Sequence, residues 1–379
     1  MLKKKLLVIG NPNSAFIMQF IENIIKSTKE YEIYILSLVE AVNFLDFYAK
    51  NQITIVVNVR PKGTRLWRFL LATAHKIRRI NKDFDYIHVH CVDRVLLSLA
   101  KTLSRNRAKI IVSYWGSDIY RKEEKAFSNE GPYLDGVSHI TFINGEMQEI
   151  FESHYGLKYQ EKCQLLDFGN GCMENMLSVN LKYKEGLIEY AKSVFGFPDD
   201  KVIVGVGYNG AVIQQHAEVL NEIKKLPLDI RSQMFLFLHM GYGVIDEERE
   251  ERIKDILEDM QCEYLISKEF MTGERLALLR YAVDIYVNGE KTDAMSATIL
   301  EYLYGGKVVV NPLWLQYNFL KENNLKDVKY NNFTDLSKVL EKVFSEELVT
   351  EKEKTCNRET LYKLCSWNSV IDKWLALYD

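Results

Sequence analysis

The chain has 379 residues, 47% apolar and 27% charged, with 49 Lys+Arg against 52 Asp+Glu and a formal net charge of −3. That length suits two globular domains better than one, and the balance excludes a disordered or collagen-like chain. The basic residues are neither numerous enough nor interleaved with aromatics in the way a nucleic-acid surface requires, so nucleic acid is not an expected partner. No run of about 20 apolar residues suggests a spanning helix, and the lysine-led N-terminus has no small-residue cleavage site. Six scattered cysteines lack metal-ligand spacing and read as free thiols of a cytoplasmic protein.

Charge divides the chain. Residues 1–180 hold 24 Lys+Arg and 19 Asp+Glu, or +5, which leaves −8 for residues 181–379. A basic first half and an acidic second half favour two domains with different partners.

In chain order, Lys5 to Gly10 reads as a buried strand that turns at Asn11-Pro12-Asn13-Ser14 into a helix from about Ala15 to Thr28. One glycine in that turn is too few for a dinucleotide fingerprint. Further strands are expected at Glu32–Leu38, Ile53–Val59, Tyr86–Cys91, Lys109–Ser113 and His139–Ile143, with helices between most of them. Such alternation predicts an α/β, doubly wound parallel sheet covered on both faces. Between Thr64 and Lys82, at 100° per residue, Arg65, Arg68, His75, Lys76, Arg79 and Lys82 share one face, opposite Leu66, Leu70, Ala74, Ile77 and Ile80. That face suits anionic headgroups or a lipid-pyrophosphate acceptor, and equally an ordinary solvated surface.

The strand at Lys109–Ser113 ends in Tyr114-Trp115-Gly116-Ser117-Asp118, at a carboxyl edge where ligands collect in such sheets. Gly116 permits close backbone approach, and Asp118 is a candidate general base, with a helix cap as the plainer role. A strand is expected at Leu165–Gly169, and Gly169 to Leu181 reads as the interdomain linker. The second half restarts the pattern. Helix Glu185–Phe195 leads to strand Val202–Val206, then Gly207-Tyr208-Asn209-Gly210 precedes a helix beginning near Gln215, a potential phosphate cradle. Strand Met234–His239 runs into Met240-Gly241-Tyr242-Gly243.

Asp284 to Asn311 carries the densest signal. A strand at Asp284–Val287 is followed by a loop, a helix at Ser296–Tyr304 stopped by Gly305-Gly306, and a strand at Lys307–Asn311. The amides around Asp293, Ser296 and Ala297 offer an anion site at the helix N-terminus, and Lys291 is the nearest cation. Asp293 and Glu301 are two carboxylates with seven residues between them. Trp314, Tyr317 and Phe319 follow as base-stacking or packing aromatics. Thr360–Asp379 reads as an amphipathic terminal helix.

The Asp293–Glu301 pair, the glycine stop and the valine-rich strand resemble the acid-x7-acid signature of the large retaining nucleotide-sugar glycosyltransferases of GT-B fold. That family usually has Glu at the first position, where this chain has Asp293. The Trp115-Gly116-Ser117-Asp118 turn is similar to one in the first domain of the same enzymes. In the family an Arg and a Lys neutralise the pyrophosphate, and Tyr208 and Gln215 stand near those places here. Gly207, Asn209, Gly210 and His216, with Gly241 and Tyr242, instead resemble the loops of the 4-acetamido-4,6-dideoxygalactose transferases of enterobacterial common antigen synthesis. The resemblance implies two Rossmann-like domains facing across a cleft, at 1–177 for the acceptor and 178–356 for the nucleotide sugar, with 357–379 crossing back. It implies a metal-independent transferase with no cofactor, using a UDP-type donor. Asp118 and Asp293 would be catalytic, Glu301 would hold the ribose hydroxyls, and Trp115, Gly116, Ser117, Arg65, Arg68, Lys76 and Arg79 would face the acceptor or membrane. Expected partners are a nucleotide sugar, a glycan or lipid-linked acceptor, an anionic membrane surface on the inner face of the cell membrane, and other glycosyltransferases. A non-catalytic partner subunit of a glycosyltransferase complex and a sugar-nucleotide 2-epimerase remain open as alternatives.

Overall fold

The computed structural model describes residues 3–81, 83–105, 107–244, 246–293 and 295–379. The chain forms two compact units. One runs up to Gly169 and takes back Trp367–Asp379, and the other is Asn170–Ser366.

The first unit is built on strands β1 (Lys4–Ile9), β2 (Tyr31–Ser37), β3 (Thr54–Val57), β4 (Tyr86–His90), β5 (Lys109–Ser113), β6 (His139–Phe142) and β7 (Cys163–Leu165), in the order β3-β2-β1-β4-β5-β6-β7. All neighbours pair parallel. Helices on both faces explain the unbroken apolar runs, since Leu6, Leu7, Val8 and Ile9 are all fully buried. The second unit has β8 (Val202–Val206), β9 (Met234–His239), β10 (Glu263–Ser267), β11 (Ile285–Val287), β12 (Val308–Pro312) and β13 (Val328–Tyr330), again all parallel, in the order β10-β9-β8-β11-β12-β13. In each sheet the order reverses once, between β1 and β4 and between β8 and β11. At such a switch the connections leave in opposite directions and open a crevice at the carboxyl ends.

Several sequence expectations need correction. Gly169 to Leu181 is not a linker, because Gly171–Tyr183 is a helix. Asn170 caps it by accepting from the Cys172 amide at 2.9 Å, and Cys172, Met173, Met176 and Val179 enter the core of the second unit. The glycines that suggested a break serve a cap instead. The last strand of the first unit is Cys163–Leu165 rather than Leu165–Gly169. The edge strands β10 and β13 are additional to the sequence expectation: β10 is a five-residue strand that stays partly exposed along its length, and β13 has three residues. The terminal segment is two helices, Glu351–Cys365 and Trp367–Leu375, broken at Ser366. The basic helix spans Leu66–Ile80, and Lys82 lies outside the described residues.

The break at Ser366 coincides with a change of unit. Trp367 and Trp374 are buried in the first unit, and the Trp374 indole donates to the Asp167 carbonyl at 2.9 Å. A Cβ at Gly169 would stand 2.2 Å from the Trp367 ring, so only glycine lets the chain pass there.

Candidate functional site

The crevice between β8 and β11 collects the second unit's polar groups. Strand β8 ends at Val206, and Gly207 turns with φ +67°, its amide donating to the Val287 carbonyl at 3.3 Å. A Cβ at Gly207 would lie 2.6 Å from Nε2 of His216, which explains glycine at this position. The Asn209 side chain accepts from the Ala211 amide at 2.8 Å, and the Gly210 amide donates to the Tyr242 carbonyl at 2.6 Å, joining the loops after β8 and β9. Arg249 donates to the Gly210 and Val244 carbonyls from outside the turn. Gly241 passes so close to Glu269 that a Cβ would meet its carbonyl oxygen at 2.1 Å.

Helix His216–Ile223 begins at this loop without a side-chain cap. His216 is buried, and its Nε2 has no hydrogen-bond partner among the described residues; nor does Nε2 of Gln214. Burial, with Arg249 adding to it, lowers the His216 pKa to about 4, so the ring is neutral near pH 7.

After β11, Asn288 and Glu290 are both buried. The Asn288 amide nitrogen donates to Asn311 at 3.1 Å and Tyr317 at 3.3 Å, while its oxygen accepts from the Glu290 amide at 3.0 Å. The Tyr208 hydroxyl donates to Glu290 at 2.9 Å, and the Tyr317 hydroxyl donates to Asp293 at 2.9 Å. Burial, followed by the charges of Asp293 and Glu290, holds both phenols well above their ordinary range. Two tyrosines and two carboxylates therefore share one environment. The Lys291 side chain is exposed, and its backbone amide donates to the Ile213 carbonyl at 2.8 Å.

Helix Ala297–Tyr304 follows, and Ser296 makes no side-chain cap, although the Ile299 amide donates to the Ser296 carbonyl at 3.1 Å. Glu301 is buried inside it. One carboxylate oxygen accepts from Arg280 Nε at 2.7 Å and the other from the Asn170 amide at 3.1 Å. Arg280 also reaches Tyr302 and Thr298, each at 3.2 Å. The Cys172 thiol, itself buried, lies against the same carboxylate.

Arg280 and Glu290 were not singled out from the sequence. Arg280 looks like an ordinary helical arginine in GERLALLRYA, and Glu290 a loop acid no different from its neighbours. Only the fold places one against Glu301 and the other beneath Tyr208.

In the first unit, Trp115, Gly116, Ser117 and Asp118 do lie at the carboxyl end of β5. The contacts of Asp118 give it a structural role. One oxygen accepts from the Trp115 and Gly116 amides at 2.8 and 2.9 Å, and the other from the Val92 amide at 2.7 Å. Gly116 sits at φ +121°, a conformation reserved for glycine. Asp118 thus holds the β5 turn to the β4 loop, and burial nonetheless raises its pKa. Trp115 packs edge-on against Phe16 at 5.5 Å and His90 at 5.4 Å.

On the Leu66–Ile80 helix, Arg65, Arg68, Lys76 and Arg79 are exposed as expected. The opposite face differs from expectation. Phe69, Thr73, Ala74 and Ile77 are buried, whereas Ile80 is exposed. The Lys76 ammonium donates to the Val57 carbonyl at 2.6 Å, which ties it to the end of β3.

Comparison with known proteins agrees with this architecture. Residues 5–134 match the sequence model of the family described as Glycosyl transferase 4-like. No curated protein matches the chain. Among solved structures, a glycosyltransferase from Rickettsia africae superposes with TM-score 0.77 at 17% identity, covering 99% of this chain and 98% of that one. Anabaena Alr3699/HepE, solved with UDP and glucose, gives 0.74 at 13% identity with 99% coverage of both chains. Sucrose-phosphate synthase from Thermosynechococcus elongatus gives 0.72 at 12%, covering 99% of this chain and 98% of that one. The shared fold is GT-B, with two doubly wound parallel units in one chain.

Proposed function

We propose that the protein is a glycosyltransferase that moves a sugar from a nucleotide-diphosphate sugar, of UDP type, to a lipid-linked or surface-glycan precursor. The observation that carries this reading is the β8/β11 crevice. Two helices begin there without side-chain caps, beside the buried unpartnered nitrogens of His216 and Gln214. An anion with several oxygens matches that set of donors. The Glycosyl transferase 4-like match over residues 5–134 supports sugar transfer, and the UDP held by Alr3699/HepE supports the choice of donor.

In this reading the diphosphate lies against the first turns of His216–Ile223 and Ala297–Tyr304, with Gly207, Asn209 and Gly210 giving the backbone close approach. Glu301 accepts hydrogen bonds from the ribose hydroxyls. Asp293, with Glu290, receives hydroxyls of the donor sugar. Tyr242 and Lys291 border the site.

As the bond from the anomeric carbon to the diphosphate oxygen breaks, its electron pair leaves with the phosphate. Amide dipoles already oriented toward that charge stabilise it without reorganisation and without calling on a metal. The acceptor oxygen bonds to the anomeric carbon and releases its proton to the departing phosphate, a role for which Asp118 is poorly free.

Calorimetry with UDP, UDP-glucose and other nucleotide sugars, followed by product analysis with the isolated chain, tests the proposal. Saturable nucleotide binding with transfer or hydrolysis supports it. Binding without turnover would favour the partner-subunit reading, and a nucleotide-linked product sugar of changed configuration would favour an epimerase. Absence of nucleotide binding would sink the proposal.

A further inference from the structure

The Leu66–Ile80 helix satisfies its packing with one face only. Phe69, Thr73, Ala74 and Ile77 are buried, while Trp67 is 54% and Leu71 58% exposed. At 100° per residue Trp67 and Leu71 lie within about 40° of each other, and His75, Arg68 and Arg79 occupy the adjoining arc. The Arg68 guanidinium stands 5.2 Å from the Trp67 ring. In the turn that enters the helix, Val59 is exposed, Arg60 is exposed and donates to the Thr64 carbonyl, and Lys62 and Arg65 are exposed. From Val57 to Asn81 the chain has seven Lys and Arg and no Asp or Glu.

Leaving a tryptophan and a leucine in water forgoes burial that a soluble surface helix ordinarily secures, and scattered single exposures would need no explanation. Here they sit together, beside cations that are themselves kept in water. A partner that presents negative charge at its surface and an apolar layer just beneath satisfies both. Indole in particular prefers such a boundary, with its ring in the apolar layer and its N–H toward water.

We infer that this helix and the turn before it dock on an anionic lipid bilayer, with Trp67 and Leu71 entering the headgroup–acyl boundary and Arg60, Lys62, Arg65, Arg68 and Arg79 meeting the headgroups. The sequence alone suggests only a charged face without an apolar anchor, which salt would detach. The exposed Trp67 and Leu71 change that expectation, because an apolar contribution does not screen. The inference stands apart from the proposed activity, since its test requires no sugar.

The test is sedimentation of the full chain with phosphatidylcholine vesicles, with and without a quarter of phosphatidylglycerol, in about 0.05 and about 0.5 M salt. The wild type should sediment with the anionic vesicles far more than with the neutral ones, and part of that binding should persist at the higher salt. Trp67→Ala combined with Leu71→Ala should lower the partition coefficient about tenfold or more at both salt concentrations. Arg65→Glu combined with Arg68→Glu should remove the low-salt binding. Leu181→Ala, an exposed apolar residue of the second unit, serves as the control and should bind like the wild type. All variants lie on the surface, and matching thermal unfolding curves would show that the fold is retained. If the Trp67/Leu71 variant sediments like the wild type, or the wild type does not distinguish anionic from neutral vesicles, the inference is wrong.

Discussion

Glu301 illustrates how a residue's chemistry is set by what the fold brings to it. Its neighbours within the helix are apolar, and the charge that makes its burial tolerable comes from Arg280, 21 positions earlier and 2.7 Å away. Removing one member of such a pair leaves a buried charge uncompensated. Glu301→Ala should therefore destabilise the second unit by about 3–5 kcal/mol in urea titration, and the double change Arg280→Met with Glu301→Leu should recover most of that loss. A fully additive double mutant would show that the pair is not coupled. Glu301→Gln keeps the shape and is the better probe of function, with nucleotide affinity falling by about 1.5–3 kcal/mol in calorimetry if the carboxylate holds ribose. Asp118 makes the contrasting case. An amide nitrogen cannot accept from a backbone N–H, so Asp118→Asn should lower thermal stability by about 1–3 kcal/mol. Turnover of the folded fraction should stay near normal; a loss of 10²-fold or more in fully folded protein would restore the general-base role.

At the scale of elements, the loops after β8 and β11 matter because two short helices start from them. The histidine at the first of those helices is neutral, with a pKa of about 4 in the free protein. A nearby diphosphate favours the imidazolium and raises the bound-state pKa above that value. Binding then takes up a proton in the window between the two, so affinity for a UDP-sugar should rise as pH falls toward 5. A UDP-sugar is the proper ligand for this measurement because its diphosphate does not itself titrate there. His216→Gln should flatten the profile, and an unchanged slope would remove His216 from the phosphate site. The same scale explains what periodicity missed: Gly169-Asn170-Gly171 signals a break locally, yet Asn170 caps a helix whose methionines fill a core formed by distant segments.

For the whole molecule, acid stability follows from histidines buried in both units. His88 and His90 stack at 4.0 Å in the first unit, where burial lowers His90 to about 3 and His88 well below its usual value. His216 and His239 in the second unit are lowered to about 4, in each case chiefly by burial. A histidine whose folded pKa is depressed contributes stability above the unfolded pKa, and that contribution is lost as pH falls through the folded one. Both units should therefore lose stability progressively from about pH 6.5 downward, and His90→Phe should reduce the slope seen in denaturant titrations across that range. No described helix is long and apolar enough to cross a membrane.

The sequence by itself determined what repeats locally. Unbroken apolar strands alternating with helices require a parallel sheet with both faces covered, and the restart after residue 200 requires a second one. The Asp293–Glu301 spacing and the glycine-bounded loop at Gly207 were likewise legible, because both lie within a single strand–loop–helix unit. Tertiary structure alone decided the rest. The strand orders that open the crevice at β8/β11, the Arg280 partner of Glu301, the hold of Asp118 on the Val92 amide and the return of Trp367 to the first unit depend on contacts between residues far apart in the chain. A side chain's type records what it can donate, accept or bury, whereas what it meets is settled by how the elements pack.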